Sequence, residues 1–501
     1  MKRHATALGR WLALALIAGA PLAAAAAGVP RISPGSVQAL SLFAAGTPGP
    51  AALEGQLQAP LRPDAPAIAA QASPATGEQT PPPLEVSVTG GISAPLPLAI
   101  PALPTAMVVP TAAGSTDVLG RQIAEVMTAD LKNSGLFVPA GPDKLRALAY
   151  AEVVAPNFDY WAGAGTQALV QGFVRANGDG TLTVGCYLYD VVAHSELTRQ
   201  GFVVAPADWR RAAHKCADVV YTRLTGEGAY FDSRVVYVSE TGGKGRRIKR
   251  LAIMDQDGAN HRFLTNGQSI VLTPRFAPNQ QSIVYMSYVD DRPQLYVYDI
   301  GSGRQRLVVA NANLTFAPRF SPDGRYILFS MAIAGNTDIY RVAAAGGVPE
   351  RLTNSPGIDT GGSYSPDGKR IVFESDRSGG QQLYVMNADG SDQRRISFGS
   401  GRYATPVWSP RGDLIAFTKV SGNFRIGIMS PSGSGEKLLT DNWQDEQPSW
   451  SPNGRVLMFF RSGQGRSGTA DLWSVDLTGV NERAVPTPLD GSDPGWGPLR
   501  P

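Results

Sequence analysis

The sequence has few cysteines and few charges. Its 501 residues include only 2 Cys, which excludes a small fold built on several disulfides. Charged residues make up 17% of the chain, and 45 Lys and Arg against 42 Asp and Glu give a net charge of +3. Three of these positive charges, Lys2, Arg3 and Arg10, lie in the first ten residues, so the remainder is close to neutral. A neutral chain lacks the cationic excess that phosphate backbones require, so we expect no nucleic-acid binding.

Long apolar runs are also scarce. The run from Trp11 to Ala20 follows basic residues and precedes a stretch of small residues that ends at Ala27. It is shorter than the roughly 20 residues that span a bilayer, so a cleaved signal peptide over residues 1–27 is favoured over a membrane anchor. No later segment reaches that length. We therefore expect a protein that does not span the membrane and lies in the periplasm of a bacterium.

Glycine and proline are plentiful, with 56 and 39 residues, and they concentrate near the start. Residues 28–83 contain 11 Pro, 12 Ala and 6 Gly among 56 positions. This composition cannot bury enough apolar surface to offset its conformational entropy. It predicts an extended, disordered linker.

Residues 84–228 alternate between strand and helix patterns, which predicts a small α+β domain. Apolar residues at Leu119, Ile123 and Leu131 recur at helical spacing behind Ser115, and Gly135 marks the helix end. A second helix follows Pro206. Strands are expected at 84–88, 106–109, 168–174, 182–189 and 201–204. Cys186 and Cys216 are either packed core residues or a disulfide, depending on whether their Cα atoms come within about 7 Å.

The C-terminal half contains an internal repeat. An aromatic residue followed by a Pro-containing turn recurs at spacings of 44, 44, 44, 42 and 46 residues, and each motif is followed by short strands. Four short strands per unit of about 44 residues are typical of a propeller blade. The repeated aromatic residues are Phe276, Phe320, Tyr364, Trp408, Trp450 and Trp496.

The two ends of this region predict how the ring closes. Residues 234–265 supply three strands without a preceding aromatic motif, whereas the last motif, at Trp496, has no strands after it. The last motif can therefore supply the innermost strand of the first blade. The sequence predicts an α+β domain followed by a WD40-like, six-bladed β-propeller over residues 229–501, closed by its C-terminal strand.

The segments that resemble catalytic or ligand-binding motifs are predicted to be turns. Gly463–Gly468 has the spelling of a dinucleotide fingerprint but lies between two strands, and Asp255–Gly258 lacks the rest of a calcium loop. No Gly-x-Ser-x-Gly elbow occurs, and the three histidines beyond the signal, His194, His214 and His261, form no visible triad. We predict no enzyme activity, no cofactor and no metal. The alternatives are an envelope hydrolase, or a propeller that binds a small sugar or peptide.

Several stretches resemble the TolB family, the periplasmic propeller proteins of the bacterial Tol-Pal system. They are residues 130–137 (DLKNSGLF), 167–172 (QALVQG), 209–214 (WRRAAH), the junction at 221–234 and the six motifs. The resemblance covers about residues 84–501. It implies binding of the peptidoglycan-associated lipoprotein Pal through the propeller and of TolA through the N-terminal segment. It also implies a role in outer-membrane integrity and in outer-membrane invagination during cell division.

The repeat predicts which face of the propeller binds a partner. Each crossing between blades passes over one face and enters beside the central channel, so the residues before each aromatic motif should line that mouth. Two of them, Phe316 and Thr360, also match positions where TolB-like proteins meet Pal. The predicted Pal-binding residues are Thr273, Thr315, Phe316, Asp359, Thr360, Tyr403, Asp445, Glu446 and Asp493. By resemblance, Glu85, Val86 and Val88 are predicted to contact TolA, and the protein is expected to be a monomer.

Overall fold

The computed structural model describes residues 94–243, 246–289, 292–309, 313–463 and 469–501. The predicted signal peptide, linker and strand at 84–88 lie outside these residues, as do residues 464–468 of the predicted loop. All described residues belong to one compact unit of the chain.

The N-terminal domain has a mixed five-stranded sheet with two long helices. Its sheet has the order β4-β1-β5-β6-β7, and β2 and β3 form a separate pair. The strands are β1 (Leu96–Ala99), β2 (Pro110–Thr111), β3 (Gly114–Ser115), β4 (Phe137–Ala140), β5 (Ala168–Ala176), β6 (Leu182–Asp190) and β7 (Ser195–Val204). The helices are α1 (Thr116–Asn133), α2 (Phe158–Gly163) and α3 (Trp209–Thr225), with short 3-10 turns at Pro142–Lys144, Tyr150–Val153 and Pro206–Asp208.

Both long helices follow the apolar spacing of the sequence, and their buried faces share one core with the sheet. The strand expected at 106–109 is wrong, because Met107 is 72% exposed and outside any strand. The missing sheet strand is β1, which pairs in parallel with β4 and β5. Cys186 and Cys216 form a disulfide between β6 and α3, with Cα atoms 5.8 Å apart.

Six four-stranded sheets form the propeller. Blade 1 contains β11 (Ile270–Phe276), β12 (Ser282–Val289), β13 (Arg292–Asp299) and β14 (Gln305–Val309), and blade 2 contains β15 (Leu314–Phe320), β16 (Tyr326–Ile333), β17 (Asn336–Ala343) and β18 (Glu350–Arg351). Blade 3 contains β19 (Asp359–Tyr364), β20 (Arg370–Ser375), β21 (Gln382–Asn387) and β22 (Arg394–Arg395). Blade 4 contains β23 (Arg402–Trp408), β24 (Ile415–Ser421), β25 (Asn423–Met429) and β26 (Lys437–Leu438). Blade 5 contains β27 (Asp445–Trp450), β28 (Val456–Ser462), β29 (Ala470–Asp476) and β30 (Glu482–Ala484). Blade 6 contains β8 (Ser233–Thr241), β9 (Ile248–Asp255), β10 (Arg262–Phe263) and β31 (Asp490–Leu499).

Blade 6 joins the two ends of the repeat region. Its inner strand β31 pairs antiparallel with β8, with Trp496 opposite Val235. The prediction of a six-bladed propeller closed by its C-terminal strand is therefore confirmed. Apolar clusters lie between neighbouring blades, and each motif aromatic packs into the cluster that its blade shares with the preceding one.

Every inner strand contains a β-bulge. The register with the second strand shifts at the same place in each blade, as between Leu272 and Arg275 in blade 1. The residue at the bulge has a positive φ of 50–68° in all six blades. These left-handed residues are Thr273, Ala317, Gly361, Thr405, Gln447 and Asp493. A bulge bends the strand and turns the side chains that follow it.

The two faces of the propeller differ in what connects there. On the crossover face, the chain passes from the outermost strand of one blade to the innermost strand of the next, through segments such as 396–401 and 439–444. On the turn face lie the turns that follow each motif aromatic, such as 409–414 and 451–455.

The N-terminal domain contacts the turn face. The Glu227 carboxylate accepts a hydrogen bond from Arg411 at 2.6 Å and pairs with Arg455, and both arginines lie in turns of this face. The Asn453 side chain donates to the Gly228 carbonyl at 2.9 Å. The crossover face is thus the side opposite these domain contacts.

Candidate functional site

The predicted Pal-binding residues lie on the six inner strands, at the end of the channel that opens on the crossover face. Thr273 and Asp493 are bulge residues, and the other seven precede the bulge of their strand. The ring arrangement brings them together around one mouth, which we call the crossover mouth.

Most of these side chains are buried and held by partners within the chain. Among the nine, only Thr273 is more than slightly exposed. Asp359 pairs with Arg377 at 2.6 Å, and Asp445 pairs with Arg461 at 2.6 Å. These residues therefore build the wall of the mouth, and a partner would meet their edges and the segments around them.

Two carboxyl groups are enclosed at the level of the bulges. Glu374 accepts from the Thr360 hydroxyl at 2.5 Å and from the Thr405 backbone N–H at 2.7 Å. Burial raises the pKa of Glu374 to about 7 despite these hydrogen bonds. Burial likewise raises the pKa of Glu446 to about 7, against a hydrogen bond from Gln444. The charge of the crossover mouth consequently changes near neutral pH.

A polar cluster joins the two domains on the turn face. Within the described residues, Asp130, His214 and Asp257 are the group whose ligand atoms could hold a metal, lying within 4.8 Å of one another. Most of those atoms already have partners: His214 Nδ1 lies 2.6 Å from Asp130 Oδ2, Gln256 donates to Asp130 Oδ1 at 2.8 Å, and Arg210 pairs with Asp257. His214 Nε2 has no hydrogen-bond partner among the described residues and lies 3.9 Å from Asp257 Oδ2. The cluster therefore serves as a contact between domains.

The charge state of His214 fits that role. Burial lowers the pKa of His214, but the surrounding carboxylates of Asp130, Asp257 and Asp255 more than offset this and raise it to about 9. His214 is fully buried, so the imidazolium acts as a counter-ion between the domains. The sequence shows His214 only as one of three histidines that form no visible triad.

Comparison with known proteins gives the same two domains. The chain matches the model of the TolB amino-terminal domain over residues 84–197 and that of the TolB beta propeller domain over residues 221–500. It is 75% identical over 418 residues to the Tol-Pal system protein TolB of Zymomonas mobilis, covering 83% of this chain and 91% of the relative. The chain belongs to the TolB family. Tol-Pal system protein TolB 1 of Novosphingobium aromaticivorans is 64% identical over 441 residues, covering 86% of this chain and 97% of that one.

A solved structure agrees with the TolB assignment. TolB from Acinetobacter baumannii superposes with a TM-score of 0.70 at 28% identity, covering 81% of this chain and 97% of that chain. The family relationship predicted from sequence is thus confirmed. These TolB relatives are Tol-Pal system components and not enzymes, which confirms the prediction of a non-enzymatic protein.

The crossover segments of this TolB-family propeller also carry exposed apolar side chains that the sequence analysis missed. Phe398 is 74% exposed, Trp443 is 49% exposed and Leu489 is 38% exposed, and each lies just before the inner strand of a successive blade. Aromatic residues are enriched in protein interfaces. In the sequence, only their position in the crossings between blades, outside the repeated motif, distinguishes these residues.

In the part of the chain that the structure describes, we find no helix with the length and apolar character needed to cross a bilayer.

Proposed function

We propose that this chain is a component of the Tol-Pal system that binds Pal through the crossover face of its propeller. The observation that carries the proposal is 75% identity, across 83% of the chain, to a relative named Tol-Pal system protein TolB. We further propose that it acts in the periplasm, where it supports outer-membrane integrity and invagination during cell division.

The crossover face has the chemistry of a protein-binding surface. Phe398, Trp443 and Leu489 offer apolar side chains, and aromatic anchors of this kind commonly dominate binding energy. The wall behind them is stiffened by the Asp359–Arg377 and Asp445–Arg461 pairs. A surface that is rigid before binding loses little conformational entropy when the partner docks.

The proposal includes the remaining parts of the chain. Residues 1–27 would direct export, residues 28–83 would act as a linker, and the domains would span 84–228 and 229–501. The segment containing Glu85, Val86 and Val88 would contact TolA. In this scheme the protein is a monomer that connects two partners.

Calorimetric titration of the mature chain with the soluble domain of Pal from the same organism tests the proposal. We expect saturable one-to-one binding, weakened at least tenfold by Trp443→Ala, because truncating an aromatic anchor commonly costs 2 kcal/mol or more (about 30-fold). Phe263→Ala is the matched control, since Phe263 is also aromatic and 44% exposed but lies on the outermost strand of blade 6. Its binding should equal that of the wild type.

Two results would contradict the proposal. Absence of binding by the wild-type chain would reject the Pal role, and equal binding by the wild type and Trp443→Ala would reject this site. Deleting residues 84–91 and titrating with the periplasmic part of TolA tests the second partner separately. Undiminished TolA binding after that deletion would reject the N-terminal segment as its contact.

A further inference from the structure

The channel has a second mouth on the turn face, and its lining is unlike that of the crossover mouth. A cavity of about 470 Å³ opens there, which is large enough for a small molecule. Its rim consists of the six motif aromatics and the proline two residues after each of them. We call this opening the turn mouth.

Two arginines lie at the floor of the turn mouth. Arg275 and Arg319 occupy the position immediately before the motif aromatic in blades 1 and 2. The residues at the equivalent position in the other blades are Ser363, Val407, Ser449 and Gly495. Because these four side chains are small or absent, they leave space in the channel opposite the two guanidinium groups.

Neither arginine has a carboxylate at hydrogen-bond distance among the described residues. Arg275 is 9% exposed and donates through Nη1 to two backbone carbonyls, of Pro274 at 2.7 Å and of Asp493 at 3.3 Å. The Asp493 carboxylate is close enough only to influence Arg275 through space. The Arg319 side chain makes no hydrogen bond or ion pair within the part of the chain that the structure describes.

The electrostatics of this pair favour an anion. Burial lowers the pKa of Arg275 to about 10, and burial together with the charge of Arg275 lowers the pKa of Arg319 well below its usual range. Both shifts mean that the charged forms gain little from the surrounding protein in return for the water they lose, since Arg275 is buried and Arg319 is partly buried. An oxyanion between them would make up for that loss, since a guanidinium binds carboxylate or phosphate with two parallel hydrogen bonds.

We propose that the turn mouth is a binding site for a small oxyanion, a carboxylate or a phosphate, held by Arg275 and Arg319. The aromatic and proline rim suits a flat apolar group attached to the anion, because such a group can pack against the rings. The site opens on the turn face, opposite the crossover face, and does not depend on the proposed binding of Pal. Arg275 and Arg319 also line a smaller channel cavity with Thr273 and Glu374 of the crossover mouth.

Calorimetric titration of the full mature chain with sodium phosphate, sodium acetate and sodium benzoate tests this proposal. The buffer is Tris, with the ionic strength held constant by chloride. We expect saturable one-to-one binding of at least one of these anions, weakened at least tenfold by Arg319→Met. Tighter binding of benzoate than of acetate would assign the rim to an apolar body of the ligand, whereas binding of phosphate alone would assign the site to phosphates.

Arg325→Met is the matched control. Arg325 lies in the turn that follows Arg319 in the same blade, and its side chain is 77% exposed, so this variant should bind as the wild type does. If Arg319→Met fails to fold, as judged by near-ultraviolet circular dichroism, Arg319→Lys keeps the charge while removing the planar fork and should weaken binding several-fold. The proposal is overturned if none of the three anions binds saturably, or if the Arg319 variant that folds binds as tightly as the wild type.

Discussion

The two mouths of the channel are built from the same six strands, yet they carry opposite chemistry. The crossover mouth holds enclosed carboxyl groups such as Glu374 and Glu446, whereas the turn mouth holds Arg275 and Arg319 beneath a ring of aromatics. The bulge lies between the two ends of every inner strand and redirects the side chains that follow it. The repeated inner strand can therefore carry acidic residues at its crossover end in blades 3, 5 and 6, and an arginine at its turn end in blades 1 and 2.

The largest effect is expected at Trp496, which lies on the rim of the turn mouth and on the strand that closes the propeller. Trp496→Ala removes an indole that packs against Tyr230 and donates to the Ser233 hydroxyl at 2.8 Å. Emptying such a site should lower the free energy of unfolding by about 3–5 kcal/mol, measured by urea denaturation. Phe263→Ala should change it by less than about 0.5 kcal/mol, because that ring is half exposed on an outer strand. Similar losses in both variants would show that the Trp496 side chain does not stabilise the turn mouth.

The stability of the protein should depend on pH through Glu374 at the crossover mouth. Its folded pKa of about 7 lies above the ordinary value of 4.5, so the folded state retains a proton that the unfolded chain has released. The contribution of Glu374 to the free energy of unfolding is therefore largest below pH 4.5. It decreases as the pH rises from 4.5 to about 7, by up to about 3 kcal/mol in total. Glu374→Gln cannot release a proton at this position, so the free energy of unfolding of this variant should fall less over the same pH range.

Urea denaturation at pH 5 and pH 8 measures this difference. Glu125→Gln, which alters an exposed carboxylate on α1, serves as the control and should retain the wild-type slope. A Glu374→Gln variant with an unchanged slope would mean that burial of Glu374 does not govern the pH response of this mouth.

A smaller effect is expected at the domain contact on the turn face. Glu227→Gln weakens the link to Arg411 and Arg455 and should cost about 1–3 kcal/mol, because both hydrogen bonds to the carboxylate are charge-assisted. Asp441→Asn removes a comparable arginine pair on the crossover face, but Asp441 is 81% exposed, so the expected loss is below about 1 kcal/mol. Thermal unfolding of the two variants compares them directly, and equal losses would contradict a structural role for the domain contact.

The smallest effect tests the bulge that separates the mouths. Gly361 has a φ of +68°, and in the other five blades the equivalent left-handed residue carries a side chain. Gly361→Ala should therefore be tolerated at a cost of about 1–2 kcal/mol, the usual penalty for a side chain in this conformation. Gly380→Ala, in the same blade and with open space around its Cα, should cost less than Gly361→Ala when both are unfolded in urea. A loss far above this range would mean that blade 3 requires glycine at its bulge.

The repeat made the propeller predictable, because an aromatic motif every 42 to 46 residues leaves few other folds. The N-terminal sheet was harder. β1 has the sequence LPLA with prolines on both sides, and proline usually argues against a strand. Here Pro97 is tolerated within a short parallel pairing, whereas the more strand-like residues at 106–109 stay outside the sheet.

The placement of the nine predicted residues at the crossover mouth could be predicted from sequence, but their exposure could not. The crossing of the chain between blades locates the mouth, so residues such as Thr360 and Asp445 fall on its wall. Sequence does not reveal that Arg377, just after the second strand of blade 3, and Arg461, on the second strand of blade 5, pair with the aspartates, because such pairs depend on side-chain direction. Arg275 and Arg319 were visible within the repeated motif, but only the channel geometry makes them neighbours. The disulfide also required a distance that spacing alone does not give.

The pairing of β31 with β8 also sets the order in which the molecule can be assembled. Trp496 lies opposite Val235, 261 positions earlier, and a chain is synthesised from its N-terminal end. Until β31 arrives, the inner edge of β8 is unpaired, and an unpaired edge is a template for pairing with other chains. The newly made protein should therefore be most prone to aggregate in this interval, and a chain truncated after residue 489 should aggregate more than the intact one in light-scattering assays. Pairing of β31 thus completes the ring and also removes the unpaired edge through which the chain could aggregate.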